Sequence, residues 1–203
     1  MKYAYINPTV VAVDEIPDST FQSIKNLVDQ AHSHPEFNDE GNPGISIRGG
    51  QQIQLLPNQF NLNIDILKNY VEQQCQEYLD KITAVTGRSE LLPVKPMLVS
   101  AWTIRQRAGD YQALHAHEAH ISGNIYIDIP NTNPDSKNSD GCLEFRFPEI
   151  KTPARFILTD SWMFTPQISK MVVFPSYLAH TVYPWRGDGY RTVLAWDVKL
   201  VDK

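Results

Sequence analysis

After Pro93-Val94-Lys95-Pro96 the hydrophobic period of the chain changes from about 3.6 residues to 2, and it stays at 2 almost to residue 203. The segments MLVSAWTIRQ, YQALHAH, HISGNIYIDI, CLEFRFP, KMVVFP, HTVYPW and YRTVLAWDVKLV alternate apolar and polar positions, with turn-rich stretches such as Asn131 to Gly141 between them. A run of seven or eight short strands at this spacing predicts a sandwich or jelly roll.

The first half reads differently. In DSTFQSIKNLVDQAH, Phe21, Ile24, Leu27, Val28 and Ala31 recur at helical spacing behind a capping-type Asp18-Ser19-Thr20. Over residues 59–86 a second stripe runs through Ile66, Tyr70, Val71, Cys75, Tyr78, Leu79 and Ile82, and Gly87 follows as a helix stop. Between the two, NDEGNPGISIRGGQQIQ is rich in breakers and predicts a loop followed by a short strand. The expected fold is therefore mainly β with flanking helices, the two helices covering one outer face of the β part. A length of 203 residues suits one core, so residues 1–203 are expected to form a single domain. Residues 1–96 would provide helical support and edge strands, and 97–203 the β core.

Composition narrows the partners. A net charge of −5 with scattered Lys and Arg offers no stripe for phosphate backbones, so nucleic acid is not expected. Cys75 and Cys142 have no CxxC neighbour and read as reduced buried thiols, which suggests a cytoplasmic protein. No apolar run approaches the about 18 residues of a membrane span, and MKYAYINPTVVAVDEIPDST lacks a basic segment followed by an apolar one. Neither export nor membrane insertion is expected, and a homodimer is compatible with this composition.

Chemistry concentrates in the histidines. Three of the six fall in LHAHEAHISG, and a fourth, His180, lies in FPSYLAHTVYPW. On a strand His115 and His117 point the same way, which makes a two-ligand clamp. Neutral imidazole suits Fe, Zn, Cu and Ni, and a pair alone binds weakly, so a third ligand from a distant strand is needed, for which His180 is the best candidate. The competing reading is a chance cluster of surface histidines. Downstream, SGNIYIDI sets Ser122, Asn124, Tyr126 and Asp128 on one face and isoleucines on the other; that polar face either meets solvent or lines a pocket. Arg191 stands among Val193, Leu194, Ala195, Trp196 and Val198, where an unpaired guanidinium is costly. Its carboxylate partner could be a ligand or an internal Asp or Glu.

The string HAHEAHISGNIYIDIP, then GCLEFRFP, then MVVFPSYLAHTVYPWRGDGYRTVLAWDV resembles the double-stranded β-helix core of the iron(II)/2-oxoglutarate-dependent oxygenases, in particular the branch with an H-x-H…SGxxY segment. The resemblance covers roughly residues 97–200, and GGQQIQ at 49–54 is similar to the same branch. It implies a cupin-like jelly roll, Fe(II) and 2-oxoglutarate as cofactor and co-substrate, O2 as oxidant, and hydroxylation of an unidentified protein residue or small molecule. Residue by residue, His115 matches the first iron ligand, His180 the distal one and Arg191 the arginine that takes the far carboxylate of 2-oxoglutarate. Asn124 and Tyr126 fall on the co-substrate side, where Tyr126 would donate a hydrogen bond.

This sequence departs from the family at the second ligand, where His117 replaces a carboxylate. Three readings compete: His117 binds iron, Glu118 reaches it instead, or His117 stands behind a water ligand; the first is preferred. Trp102 and Trp196 are read as core packing ahead of pocket walls, and His120 as the start of a strand. Two further classes remain open. A cupin-like metal enzyme would use the same histidines without 2-oxoglutarate, and a binding module would need no metal.

Overall fold

The structure, a computed structural model, describes residues 9–33, 51–57, 62–87, 93–130, 139–147 and 161–203. In chain order its elements are β1 (Ala12–Glu15), α1 (Asp18–Ser33), β2 (Gln51–Leu56), α2 (Asp65–Thr86), β3 (Val94–Gln106), β4 (Gln112–His115), β5 (Ile121–Asp128), β6 (Leu143–Arg146), β7 (Ser161–Phe164), β8 (Lys170–Pro175), β9 (His180–Val182) and β10 (Arg191–Asp202). They form a six-stranded sheet in the order β1-β8-β5-β10-β3-β2 and a four-stranded sheet in the order β4-β9-β6-β7. Every pairing is antiparallel. From β3 onward the chain passes back and forth between the two sheets, which is the double-stranded β-helix expected from the sequence.

Strand alternation sorts each strand of the larger sheet into two faces. On β5, Ile121, Ile125 and Ile127 join the core formed with the helices, whereas Tyr126 joins a second cluster between the sheets. On β10, Leu194, Trp196 and Val198 face the helix side, and Val193 faces the interior. The predicted stripe of α1 is buried throughout, at Phe21, Ile24, Leu27, Val28 and Ala31. On α2 the predicted Val71, Cys75, Tyr78 and Leu79 are buried and Tyr70 and Ile82 half-buried, whereas Ile66 is exposed and its neighbour Leu67 enters the core in its place. Both helices therefore lie on the outer face of the larger sheet. The Gly87 stop is an αL cap at φ 68°, whose N–H donates to Thr83 O.

Two strands were not expected. β1 (AVDE) and β7 (SWMF) have only four residues each and are largely exposed, too short to show a period. The expected strand over 111–117 is confined to Gln112–His115, because the chain then leaves the sheet and His117 N donates to Ser176 O at 2.9 Å. Residues 58–61 and 131–138, at the start of the second predicted helix and in the predicted loop, lie outside the described residues. No described helix is long and apolar enough to cross a membrane.

Candidate functional site

His115 on β4 and His180 on β9 are direct cross-strand partners, and His180 is in register with Phe145 of β6 on its other side. Side chains opposite one another in an antiparallel pair share a face and lie close. The two imidazoles therefore meet, with ring centroids 4.3 Å apart. His117 arrives from the irregular segment after β4 and completes the group, 5.2 Å from the His115 ring and 5.1 Å from the His180 ring. One ring nitrogen of each residue lies within 4.8 Å of the other two. Trp102 of β3 stacks on the His117 ring at 5.6 Å.

Hydrogen bonds fix which nitrogen each ring turns inward. His115 Nδ1 lies 2.7 Å from Ala113 O, and His180 Nδ1 lies 2.9 Å from Leu178 O. A carbonyl oxygen only accepts, so Nδ1 carries the proton in both rings and Nε2 keeps its lone pair. His117 Nδ1 is 2.7 Å from Asp197 Oδ1, a carboxylate, with the same consequence. His117 Nε2 is buried and has no hydrogen-bond partner. Burial pushes His180 down to about 3, with the charge of His115 adding to the effect, and burial likewise lowers His115. Neutral imidazoles with convergent lone pairs are what a divalent metal ion requires. Glu118 is exposed and is not one of the converging group, and His120 is exposed, its Nδ1 accepting from Leu200 N at 2.8 Å.

The histidines open on a cavity of about 230 Å³ that also contains Asn124 and Arg191. Arg191, the first residue of β10, is 3% exposed. Its Nη1 donates to Gln106 Oε1, its cross-strand partner, and its Cζ lies 5.4 Å from the Tyr126 ring centroid. Nε and Nη2 make no well-aligned hydrogen bond, nor do Gln106 Nε2 and Asn124 Oδ1, and the Tyr126 hydroxyl interacts with Arg191 and Asn124 only short of that geometry. No salt bridge joins Arg191 to an acid among the described residues. A buried guanidinium with two idle donor groups fits a planar carboxylate that enters from the cavity. Three of the four residues predicted on the polar face of β5, Ser122, Asn124 and Tyr126, are thus buried on the interior side, whereas Asp128, beyond the register shift at Thr192/Val193, is part-exposed and pairs with Lys25 of α1. Trp102 belongs to the cavity wall, and Trp196 to the helix-side core.

Sequence reasoning missed Asp197 and Gln106. Both carry a signal in the strand period. Counting by two from Arg191 along β10 reaches Asp197 on the same face, and Gln106 lies opposite Arg191 across the β10 and β3 ladder.

Residues 100–197 match the profile of the family described as "Putative 2OG-Fe(II) oxygenase". Among solved structures, a Pseudomonas putida prolyl-4-hydroxylase superposes at TM-score 0.56 with 16% identity, over 92% of this chain and 91% of that one. A Trichoplax adhaerens prolyl hydroxylase, in complex with a hypoxia-inducible-factor peptide fragment, gives 0.59 and 16% over 92% and 82%. HygX from Streptomyces hygroscopicus, with nickel, 2-oxoglutarate and hygromycin B bound, gives 0.54 and 12% over 94% and 83%. No curated protein matches the sequence.

Proposed function

We propose that this chain, whose residues 100–197 match the 2OG-Fe(II) oxygenase family, holds Fe(II) on the Nε2 atoms of His115, His117 and His180 and the distal carboxylate of 2-oxoglutarate on Arg191. The observation that carries this reading is one cavity containing both a group of three convergent imidazoles and a buried guanidinium with idle donors. When bound, Fe(II) with 2-oxoglutarate and O2 supplies the oxidising power for decarboxylation to succinate and CO2, coupled to hydroxylation of a C–H bond.

The chain's own residues have distinct tasks. Ala113 O, Leu178 O and Asp197 orient the three rings. Gln106 holds one arm of Arg191 so that the remaining fork faces the cavity. Asn124 and Tyr126 offer further polar atoms beside it. Trp102 and Phe174 wall the cavity against water. The absence of an acidic partner for Arg191 among the described residues favours a carboxylate ligand over a cupin-like enzyme that does not use 2-oxoglutarate. HygX, which holds nickel and 2-oxoglutarate on the same fold, supports the choice of co-substrate. The substrate to be hydroxylated is an unidentified protein residue or small molecule.

Anaerobic Fe(II) titration with elemental analysis, followed by succinate measurement, tests the reading. The wild type should bind about one iron per chain and form succinate only with iron present. His115→Ala, His117→Ala and His180→Ala should each lose the metal, while Glu118→Ala keeps it. Arg191→Lys should keep metal and fold but weaken 2-oxoglutarate binding by roughly 10-fold or more, since the charge stays and the fork is lost. Full iron occupancy in His180→Ala would remove the third ligand. A melting temperature that collapses in Arg191→Lys with unchanged 2-oxoglutarate affinity would make the arginine structural.

A further inference from the structure

The three imidazoles are not supported alike. His115 and His180 rest on neutral backbone carbonyls, whereas His117 rests on a carboxylate, Asp197, at 2.7 Å. His117 is also the residue that stands where the resemblance places an anionic ligand. Asp197 is itself held in place: Ser122 Oγ donates to the same Oδ1 at 2.6 Å, and Ser176 Oγ lies 2.8 Å from Ser122 Oγ. Both serines are fully buried, and the side chains of His117 and Asp197 are only 11% and 16% exposed. The His117 backbone is pinned at the same point, its N–H donating to Ser176 O. Ladder geometry adds to this, because the register of β10 against β3 shifts between Asp197 and Val198, and such irregularities re-aim side chains near sites.

Resting on the functional reading above, we propose that Asp197 is a positioning residue for the metal, which returns through the His117 ring the negative charge that the direct ligand set lacks. An oxygen that already accepts from Ser122 accepts from His117 Nδ1–H as well, which leaves Nε2 as the donor atom toward the metal. The pairing raises the electron-donating power of that one imidazole. A histidine backed by a carboxylate is thereby a closer substitute for a carboxylate ligand than a histidine backed by a carbonyl. No acidic side chain is among the residues lining the cavity, so among the described residues no other anion has this role.

Co(II) titration at neutral pH, read by its visible ligand-field bands, tests the proposal without turnover. Asp197→Asn keeps an acceptor for Nδ1–H and removes the charge. It should weaken Co(II) binding about 10- to 100-fold and shift the bands, while the metal-free protein melts near the wild-type temperature. Ser122→Ala, which loosens Asp197 but keeps its charge, should lose affinity by a smaller factor. Equal affinity and identical bands in Asp197→Asn and wild type would overturn the inference while leaving the functional reading intact. A wild type that binds no Co(II) would remove both. Should Asp197→Asn fail to fold, histidine-labelled wild-type protein decides by NMR: the metal-free His117 ring should carry its proton on Nδ1 with a strongly downfield resonance, and Zn(II) should shift Nε2. A proton on Nε2 would sink the proposal.

Discussion

At Gly123 the central strand β5 has no room for a side chain: a Cβ would strike the Trp196 indole and sit 2.5 Å from Val172 O. Trp196, fully buried on the helix side, lies across the bare backbone and fixes the separation of β5, β8 and β10 there. Gly123→Ala should destabilise the protein by about 3 kcal/mol, seen as a lower midpoint in urea unfolding, since neither the indole nor the carbonyl can withdraw cheaply. A midpoint within error of wild type would mean that the sheet yields locally. Single residues also mark where the sequence was informative about the site. His115, His117 and His180 stand out because three ligand-type side chains recur within short motifs, and Arg191 because its charge breaks an apolar run. Asp197 passes unnoticed, because its link to His117 joins positions 80 residues apart and no local pattern announces it.

Helix α1 shows how an element meets the sheet through two kinds of contact. Its apolar stripe enters the core, and along one flank Lys25, Asp29 and His32 reach the sheet at spacings of four and three. Lys25 pairs with Asp29 and with Asp128 of β5, Asp29 with Arg105 of β3, and His32 Nε2 lies 3.1 Å from Thr103 Oγ1. Burial holds His32 down to about 4, helped by the Arg105 charge and opposed by Asp29. On acidification the unfolded chain therefore protonates this ring at its ordinary value of about 6.5, well before the folded protein does. Its contribution is intact above that value and is lost progressively as the pH falls towards 4. His32→Gln should flatten the stability profile across this window, so urea midpoints at about pH 7.5 and about pH 5 should differ less in the variant than in wild type. An equal fall in both would exonerate His32. Elements of this kind were legible where they are long: the α1 and α2 stripes bury most of the residues that their periods single out, and β5 and β10 alternate as expected. The four-residue strands β1 and β7 were not, since they are held by neighbours rather than by a pattern of their own.

The molecule as a whole is two sheets joined at a mouth, and the histidine group straddles it. His115 and His180 belong to the smaller sheet, while His117 is tied through Asp197 to the larger one. An ion that draws the three rings together would therefore connect layers that otherwise meet through apolar packing and the hydrogen bonds of His117 to Asp197 and Ser176. Hydrogen exchange in β4 and β9 should slow about 10-fold or more when Zn(II) is added, with much less change in α2, because binding to the closed form suppresses opening by mass action. Uniform slowing across α2 and β4 would mean that opening there requires global unfolding. The geometry resembles a clasp on a hinged case: the link between one imidazole and one carboxylate ties the histidine group to the larger sheet, so a variant that loosens that joint should shed an added metal ion well before the case itself comes apart.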